Sequence, residues 1–457
     1  MRIVICGAGR VGQGIARRLS KEQHDIVIID ANPDLVDQVS AELDVRGVVG
    51  HAAYPDTLRN AGIEDCEMII AVTYHDEVNM VVCQIAHSLF NVPTKIARIR
   101  AQAYLSPAAG DLFSRDNMPI DMVISPEVAV GDAVMERFRT PGAILNTPFA
   151  KGEIQLLGIE VSKESPLTDT AIDQFRDLFP DLQARLAAIG RGKTIFAPRS
   201  NDRLQAADRA YFAVRDEESD RLFEIFDQEN QPLRHVVIIG GGNIGRHVAS
   251  ELEKEKTVRV RLIEYDQATA ERAVMELKRT IVIQGDGLDK RILEEANIGS
   301  ADFVITLTND DKSNLLISNL AKRLGAGRAL ALINEIDLAE LSRDMKIDVV
   351  LDPRALTVSQ VLLRLRRGRI LSLLSLEDGQ AEVVEGVALE TSPLIGKQVD
   401  YDHLPEGVSV AAILRDGKVL FPSDDVRIRA DDHLVTFYEQ NRTRKVEQFF
   451  RVSPEFF

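Results

Sequence analysis

Ile3-Val4-Ile5-Cys6-Gly7-Ala8-Gly9-Arg10-Val11-Gly12 decides the fold, because the chain repeats the pattern as Val236-Val237-Ile238-Ile239-Gly240-Gly241-Gly242-Asn243-Ile244-Gly245. An apolar run that breaks into G-x-G-x-x-G and then into a helical pattern is a strand turning into a helix around a phosphate. The first glycine permits the tight turn, the second lets the backbone approach a diphosphate, and the third lets helix and strand close on each other. The phosphate then meets free N–H groups at a helix start, where the dipole favours negative charge. One such match is weak, since a sheet of this kind can use its glycines for packing and bind nothing. Two in matching context mark a duplicated unit.

Each motif is followed by a second apolar run ending in an acid, Asp30 or Glu264, at the expected distance of about 20 residues. A carboxylate there accepts hydrogen bonds from ribose hydroxyls and repels a 2′-phosphate, which favours NAD or an adenine nucleotide over NADP. The register then holds: Gly50 matches Gly285, Asp76 matches Asp311, Asn79 matches Asn314, and 121–126 matches 348–353. Two long copies are a tandem duplication and not a solenoid.

In the first copy, nearly continuous β-branched runs at 2–6, 25–30, 45–49, 67–72, 95–99 and 121–124 alternate with helical stretches such as 9–22 and 77–90. This predicts an α/β protein of two Rossmann-type doubly wound parallel sheets, each followed by a small α+β C-terminal module. The sheets take 1–125 and 233–352, crossover helices 126–141 and 353–368, and the modules 142–227 and 369–457. Each crossover stretch opens on a proline, Pro126 or Pro353, as a helix start allows. Leu356, Val358, Val361 and Leu362 give the second an apolar face. Such a helix is either core of its own domain or a reach toward a neighbouring subunit. The modules share a Ser-Pro-Leu turn (165–167 and 392–394) and short alternating strands, with nothing catalytic in them.

More residues fall on the same crevice. His51 and Ala52 follow Gly50, and Asp286 and Gly287 follow Gly285, where the adenine side of a nucleotide lies. Thr73-Tyr74 and Thr308-Asn309 follow the fourth strands, at the carboxyl end where open α/β sheets bind ligands. Arg98 ends the fifth strand, either as a planar fork for phosphate or in a surface ion pair. Its counterpart is Leu332, so the copies are expected to differ in ligand or affinity.

Composition excludes several classes. The 457 residues are 45% apolar with a net charge of −16, which suits several packed cores and disfavours nucleic acid or anionic lipid as a whole-molecule partner. Three cysteines, Cys6, Cys66 and Cys83, show no CxxC spacing, which fits a reducing compartment and argues against a zinc knuckle. The opening residues meet Gly7 too soon for a signal peptide, and no stretch approaches the ~20 apolar residues of a membrane span. A dehydrogenase needs a catalytic acid or base beside the nicotinamide, yet no Tyr-x-x-x-Lys occurs and the eight histidines are scattered. The expectation is therefore no catalytic residue and no metal site.

Gly7–Gly12, Asp30, the Gly50 triplet, 71–73 with 76–79, and 97–100 resemble the regulator-of-potassium-conductance (RCK, or KTN) family. The module after each sheet is similar to that family's companion C-terminal domain, so the resemblance covers nearly the whole chain. It implies a cytoplasmic, non-enzymatic regulatory subunit that binds NAD(H) or adenine nucleotides (ATP or ADP). It also implies a homo-oligomeric ring, a dimer or tetramer, on the cytoplasmic face of the inner membrane, gating a membrane-embedded Trk-type potassium channel. Nucleotide contacts would then fall on Gly7, Ala8, Gly9, Arg10, Val11, Gly12, Asp30, Thr73, Tyr74 and Arg98. In the second copy they would be Ile239, Gly240, Gly241, Gly242, Asn243, Ile244, Gly245, Glu264, Thr308 and Asn309. The family usually carries Asp after the third-strand glycine; Asp286 keeps it and His51 does not. A titratable His51 either adds pH sensitivity or is a solvated loop histidine.

Overall fold

The computed structural model describes residues 1–20, 24–105, 109–163, 165–226, 232–335, 338, 341–342, 345, 347–365, 369–423 and 425–450. Residues 227, 366–368 and 451–457, which the sequence reading assigned to the modules and the second crossover stretch, lie outside them.

Strands β1 (Arg2–Cys6), β2 (Asp25–Asp30), β3 (Arg46–Val49), β4 (Met68–Ala71), β5 (Thr94–Arg98) and β6 (Met122–Ile124) form one sheet. Their order is β3-β2-β1-β4-β5-β6 with every neighbour parallel. Helices cover both faces, so Ile3 to Cys6 and Val27 to Ile29 are wholly buried, which is why these strands read as unbroken apolar runs. The order reverses between β1 and β4, and that switch point opens the crevice at the carboxyl ends.

A module follows, with β7 (Leu145–Phe149), β8 (Ile154–Glu160), β9 (Ala184–Arg191), β10 (Thr194–Phe196) and β11 (Arg209–Arg215) in antiparallel order β10-β9-β11-β8-β7. The second parallel sheet repeats the first: β12 (His235–Ile239), β13 (Arg259–Glu264), β14 (Ile281–Gln284), β15 (Phe303–Thr306), β16 (Arg328–Leu332) and β17 (Val349–Leu351), in order β14-β13-β12-β15-β16-β17. The last module repeats the first with β18 (Ile370–Leu376), β19 (Ala381–Val387), β20 (Val408–Arg415), β21 (Lys418–Leu420) and β22 (His433–Glu439). A buried carboxylate recurs in both: Arg191 grips Asp208 through Nε and Nη2 at 2.9 and 2.8 Å, and Arg415 grips Asp432 at 2.7 Å through each. The two modules share one apolar core, in which Phe149, Leu156 and Tyr211 meet Val383, Ala411 and Phe437. Glu377 bridges them, taking Arg209 Nε and the Tyr211 hydroxyl at 2.6 Å each.

Packing divides the chain into two units, one of Met1–Val130 with Asp352–Val361, the other of Gly131–Leu351 with the residues from Leu362 onward. Both crossover helices, Pro126–Arg139 and Pro353–Leu365, are thus split between units. In the first unit a Cβ added at Gly14 would lie 3.6 Å from Val358 Cγ2. In the second, one added at Gly131 would lie 2.3 Å from His247 Cδ2, so that helix is tightly seated beside the His247 ring. Each helix therefore meets a residue of the other copy of the same chain, a neighbour that neither sequence alternative named. An apolar stripe dictates that something must cover it and says nothing about what does.

Candidate functional site

The two glycine turns do three separate jobs. Gly7 and Gly240 sit at φ +112° and +108°, in the left-handed region, and a Cβ there would meet backbone at 2.9 Å (Val72 O) and 2.8 Å (Leu307 C). Gly12 and Gly245 leave no room at all, since a Cβ would lie 1.8 Å from the carbonyl oxygen of Gly7 or Gly240. Gly9 and Gly242 are the opposite case, with nothing within 4 Å of an added Cβ. Their bare backbone therefore borders open space at the starts of the helices Arg10–Ser20 and Asn243–Leu252. A cradle that a methyl group would intrude on, ringed by free helix N–H groups, fits a diphosphate.

The acids are where the spacing put them, and each braces its turn. Ala8 N–H donates to Asp30 Oδ2 at 2.7 Å and Asn32 N–H to Asp30 Oδ1 at 2.9 Å. Gly241 N–H donates to Glu264 Oε2, and Asp266 N–H to Glu264 Oε1 at 2.8 Å. A carboxylate with two backbone donors is held in one rotamer, aimed along the end of the second strand, with lone pairs left for a ribose.

Thr73 and Thr308 mark the far wall. Buried Asn79 holds the first through its own Oδ1, which accepts from Thr73 N–H at 2.8 Å and the Thr73 hydroxyl at 2.7 Å. Its Nδ2 donates to Arg98 O at 2.9 Å, tying the ends of β4 and β5 together. Asn314 repeats this: its Oδ1 accepts from Thr308 N–H at 2.9 Å and its Nδ2 donates to Leu332 O at 2.8 Å. Buried Asp76 and Asp311 accept the next backbone amides, of Arg100 and Ala101 and of Asn334 and Glu335. The register flagged Asn79 and Asn314, but assigned them no task. Tyr74 and Asn309 are exposed beside these walls, as are Arg10 and Asn243 on the turns. The Arg100 guanidinium lies over the Tyr74 ring, 5.2 Å from its centroid.

Two residues expected at the crevice lie elsewhere, and one of the two alternatives for Arg98 falls away. Ala52 and Gly287 do not face the crevice: Ala52 is core, and a Cβ on Gly287 would lie 2.7 Å from Ile239 Cγ2 and 3.0 Å from Ile317 Cδ1. The residue after a third-strand glycine lies on the surface and the next points inward, so the pair splits between faces. Arg98 is not in a surface ion pair. It is half-buried, its Nη2 donates to Thr73 O at 3.0 Å, and its buried Nε has no partner. Burial, then the Arg100 charge, push its pKa below the usual guanidinium range. His51 and Asp286 are exposed and equivalent: each accepts from the amide two residues on, Ala53 N–H at 3.3 Å to Nδ1 and Leu288 N–H at 2.8 Å to Oδ1. A ring nitrogen thus takes the place of a carboxylate oxygen as turn acceptor.

Among the described residues no cluster of His, Cys, Asp and Glu is arranged to hold a metal, and no helix is long and apolar enough to cross a membrane.

Family models match three stretches: the TrkA-N domain at residues 3–126 and 236–353, and the TrkA-C domain at 383–451. The chain is 47% identical over 458 residues to the Trk system potassium uptake protein TrkA of Azorhizobium caulinodans, covering 100% of both. It is 36% identical over 460 residues to the protein of the same name from Vibrio alginolyticus, again over 100% of both. Among solved structures, the RCK domain of GsuK aligns with TM-score 0.63 at 19% identity, over 98% of this chain and 95% of that one. The GsuK channel bound to NAD aligns with TM-score 0.62 at 18% identity, over 98% and 78%. At that identity the likeness establishes the shared fold.

Proposed function

This chain belongs to the TrkA family, and from that premise we propose that it is the nucleotide-binding regulatory subunit of a potassium-uptake system. In this reading it sits on the cytoplasmic face of the inner membrane, as a homo-oligomeric ring on a Trk-type potassium channel. The observation that carries it is the open space at Gly9 and Gly242, repeated in two crevices that also repeat the bracing acid and the threonine wall. Names of the full-length relatives supply the transport system.

The groups at the crevice do binding work. Helix N–H groups at Gly9 to Val11 and Gly242 to Ile244 receive a diphosphate, Asp30 and Glu264 orient a ribose, and Arg98 supplies a cation. NAD(H) or an adenine nucleotide (ATP or ADP) has the matching parts. Asp30, Asp76 and Asn79 already spend hydrogen bonds on backbone amides, which suits fixed walls more than proton transfer and favours a sensor over a dehydrogenase. Regulation then requires that the ligand bind one arrangement of the ring better than another, because equal affinity shifts nothing.

The test pairs binding with transport. Titration with NADH, followed by calorimetry, should show binding that Asp30→Ala weakens. A deletion strain lacking other potassium-uptake systems should grow poorly at micromolar potassium and recover with the parent gene but not with a Gly9→Asp, Gly242→Asp double variant. Recovery with the double variant would remove nucleotide binding from the function. Normal growth of the deletion strain would remove potassium uptake.

A further inference from the structure

We propose that the second crevice is linked to protons: a nucleotide on the Gly240–Gly245 turn and a proton at the seat of the first crossover helix favour each other. This deepens the nucleotide-binding reading and rests on it.

The helix that opens at that turn, Asn243–Leu252, sets His247 against the crossover helix. Gly131 makes the room. A Cβ there would lie 2.3 Å from His247 Cδ2 and 2.8 Å from Nε2, and Nε2 is buried without a hydrogen-bond partner. His247 stands one turn, about 6 Å of helix, from Asn243. Arg246 beside it fastens the helix to the turn, donating from Nη1 to Gly241 O at 2.8 Å and from Nη2 to Asn243 Oδ1 at 3.0 Å. A change at the seat therefore reaches the amides that meet phosphate.

The seat is acidic. Asp132, Glu136 and Arg139 recur at helical spacing on the crossover helix, and His247, Glu251 and Glu255 do so along the facing stretch. Lys254 Nζ answers Glu251 at 2.6 Å, and Arg139 Nη2 lies 3.8 Å from Glu255. Asp132 and Glu136 have no ion pair among the described residues. Burial raises Glu136 to about 7, against the pull of Arg137 and Arg139 and with the push of Asp132. Desolvation also raises Asp132, with Glu251 adding to the rise and His247 and Arg139 opposing it. The other charged neighbour, Arg137, is buried near Tyr211 of the first module.

A proton on Glu136 removes a buried negative charge from the seat. That settles the crossover helix, and it lowers the negative potential along the helix whose start receives the diphosphate. Both effects tighten anion binding. Linkage is reciprocal, so a bound nucleotide must draw the proton in. The twin seat lacks these acids. Ser359 stands in register with Asp132 and spends its hydroxyl on Ala355 O at 2.9 Å, and Leu363 stands in register with Glu136.

The experiment is calorimetry of the full chain with NAD, whose diphosphate keeps its charge across the neutral range. The first crevice is silenced by Gly9→Asp, and buffers of different ionisation enthalpy count the protons taken up. Binding near neutral pH should take up protons. Affinity should fall by about threefold or more from about pH 6 to about pH 8, part of the tenfold that a one-unit pKa difference supplies. Asp132→Asn with Glu136→Gln should remove both the uptake and the slope, whereas His247→Gln should keep them. With only the first crevice active, after Gly242→Asp, the same double substitution should change nothing. Parental uptake in the double variant, no uptake in the parent seat, or loss of all binding on Gly9→Asp overturns the inference while leaving nucleotide binding to the chain intact. Absence of binding in the unaltered chain overturns both.

Discussion

Gly9 and Gly12 are three residues apart in one motif, and the structure predicts opposite outcomes for the same substitution. An added Cβ at Gly9 touches nothing within 4 Å, and Gly9 lacks the positive φ that would strain an L residue. Gly9→Ala should therefore change stability by no more than about 0.5–1 kcal/mol, with a lower unfolded-state entropy tending to stabilise. The same methyl occupies space a diphosphate would fill. Gly9→Asp adds a charge: two unit charges about 4 Å apart at an effective dielectric of about 20 repel by about 4 kcal/mol, close to a thousandfold in affinity. Gly12→Ala reverses the balance. Inside the helix Arg10–Ser20 alanine is favoured over glycine by about 1 kcal/mol. Its Cβ would lie 1.8 Å from Gly7 O, backbone against backbone, and overpacking of that kind costs about 1–3 kcal/mol or more. The assay is urea unfolding alongside NADH titration, read as sites per chain. Gly9→Ala should fold like the parent and lose one site; Gly12→Ala should unfold at lower urea. Parental binding by Gly9→Ala and Gly9→Asp, or parental stability of Gly12→Ala, refutes the division of labour among the glycines.

Two further predictions concern the seat of the first crossover helix. Gly131→Ala places a Cβ 2.3 Å from His247 Cδ2 and should destabilise by about 1–3 kcal/mol, with the cost largely removed in a Gly131→Ala, His247→Ala double mutant measured as a cycle. Burial pushes Glu136 on the same helix up to about 7, so the folded chain holds a proton that the unfolded chain releases near its ordinary value of 4.5. Between those values the native state binds more protons, so stability falls as pH rises, by up to about 3 kcal/mol across the window. Glu136→Gln should flatten that part of the stability–pH curve and be the more stable form at pH 8; an unchanged slope would assign the dependence to other groups.

The sequence by itself determined the two sheets, their strand order class and the place of each crevice. The reason is local: a doubly covered strand must be apolar along its length, a strand-to-helix turn around phosphate must spare its side chains, and both constraints leave short contiguous signals at Gly7–Gly12 and Gly240–Gly245. The bracing acids were legible for the same reason, since a fixed unit of strand, helix and strand separates them from the turn. What the sequence did not show depends on partners far along the chain. Whether Arg98 was paired, which way Ala52 and Gly287 pointed, and how Asn79 joins β4 to β5 are set by contacts across the sheet, where spacing carries no information. The exchange of crossover helices and the shared core of the modules belong to the same class: an amphipathic face fixes the need for cover, and only the assembled tertiary structure decides which surface provides it.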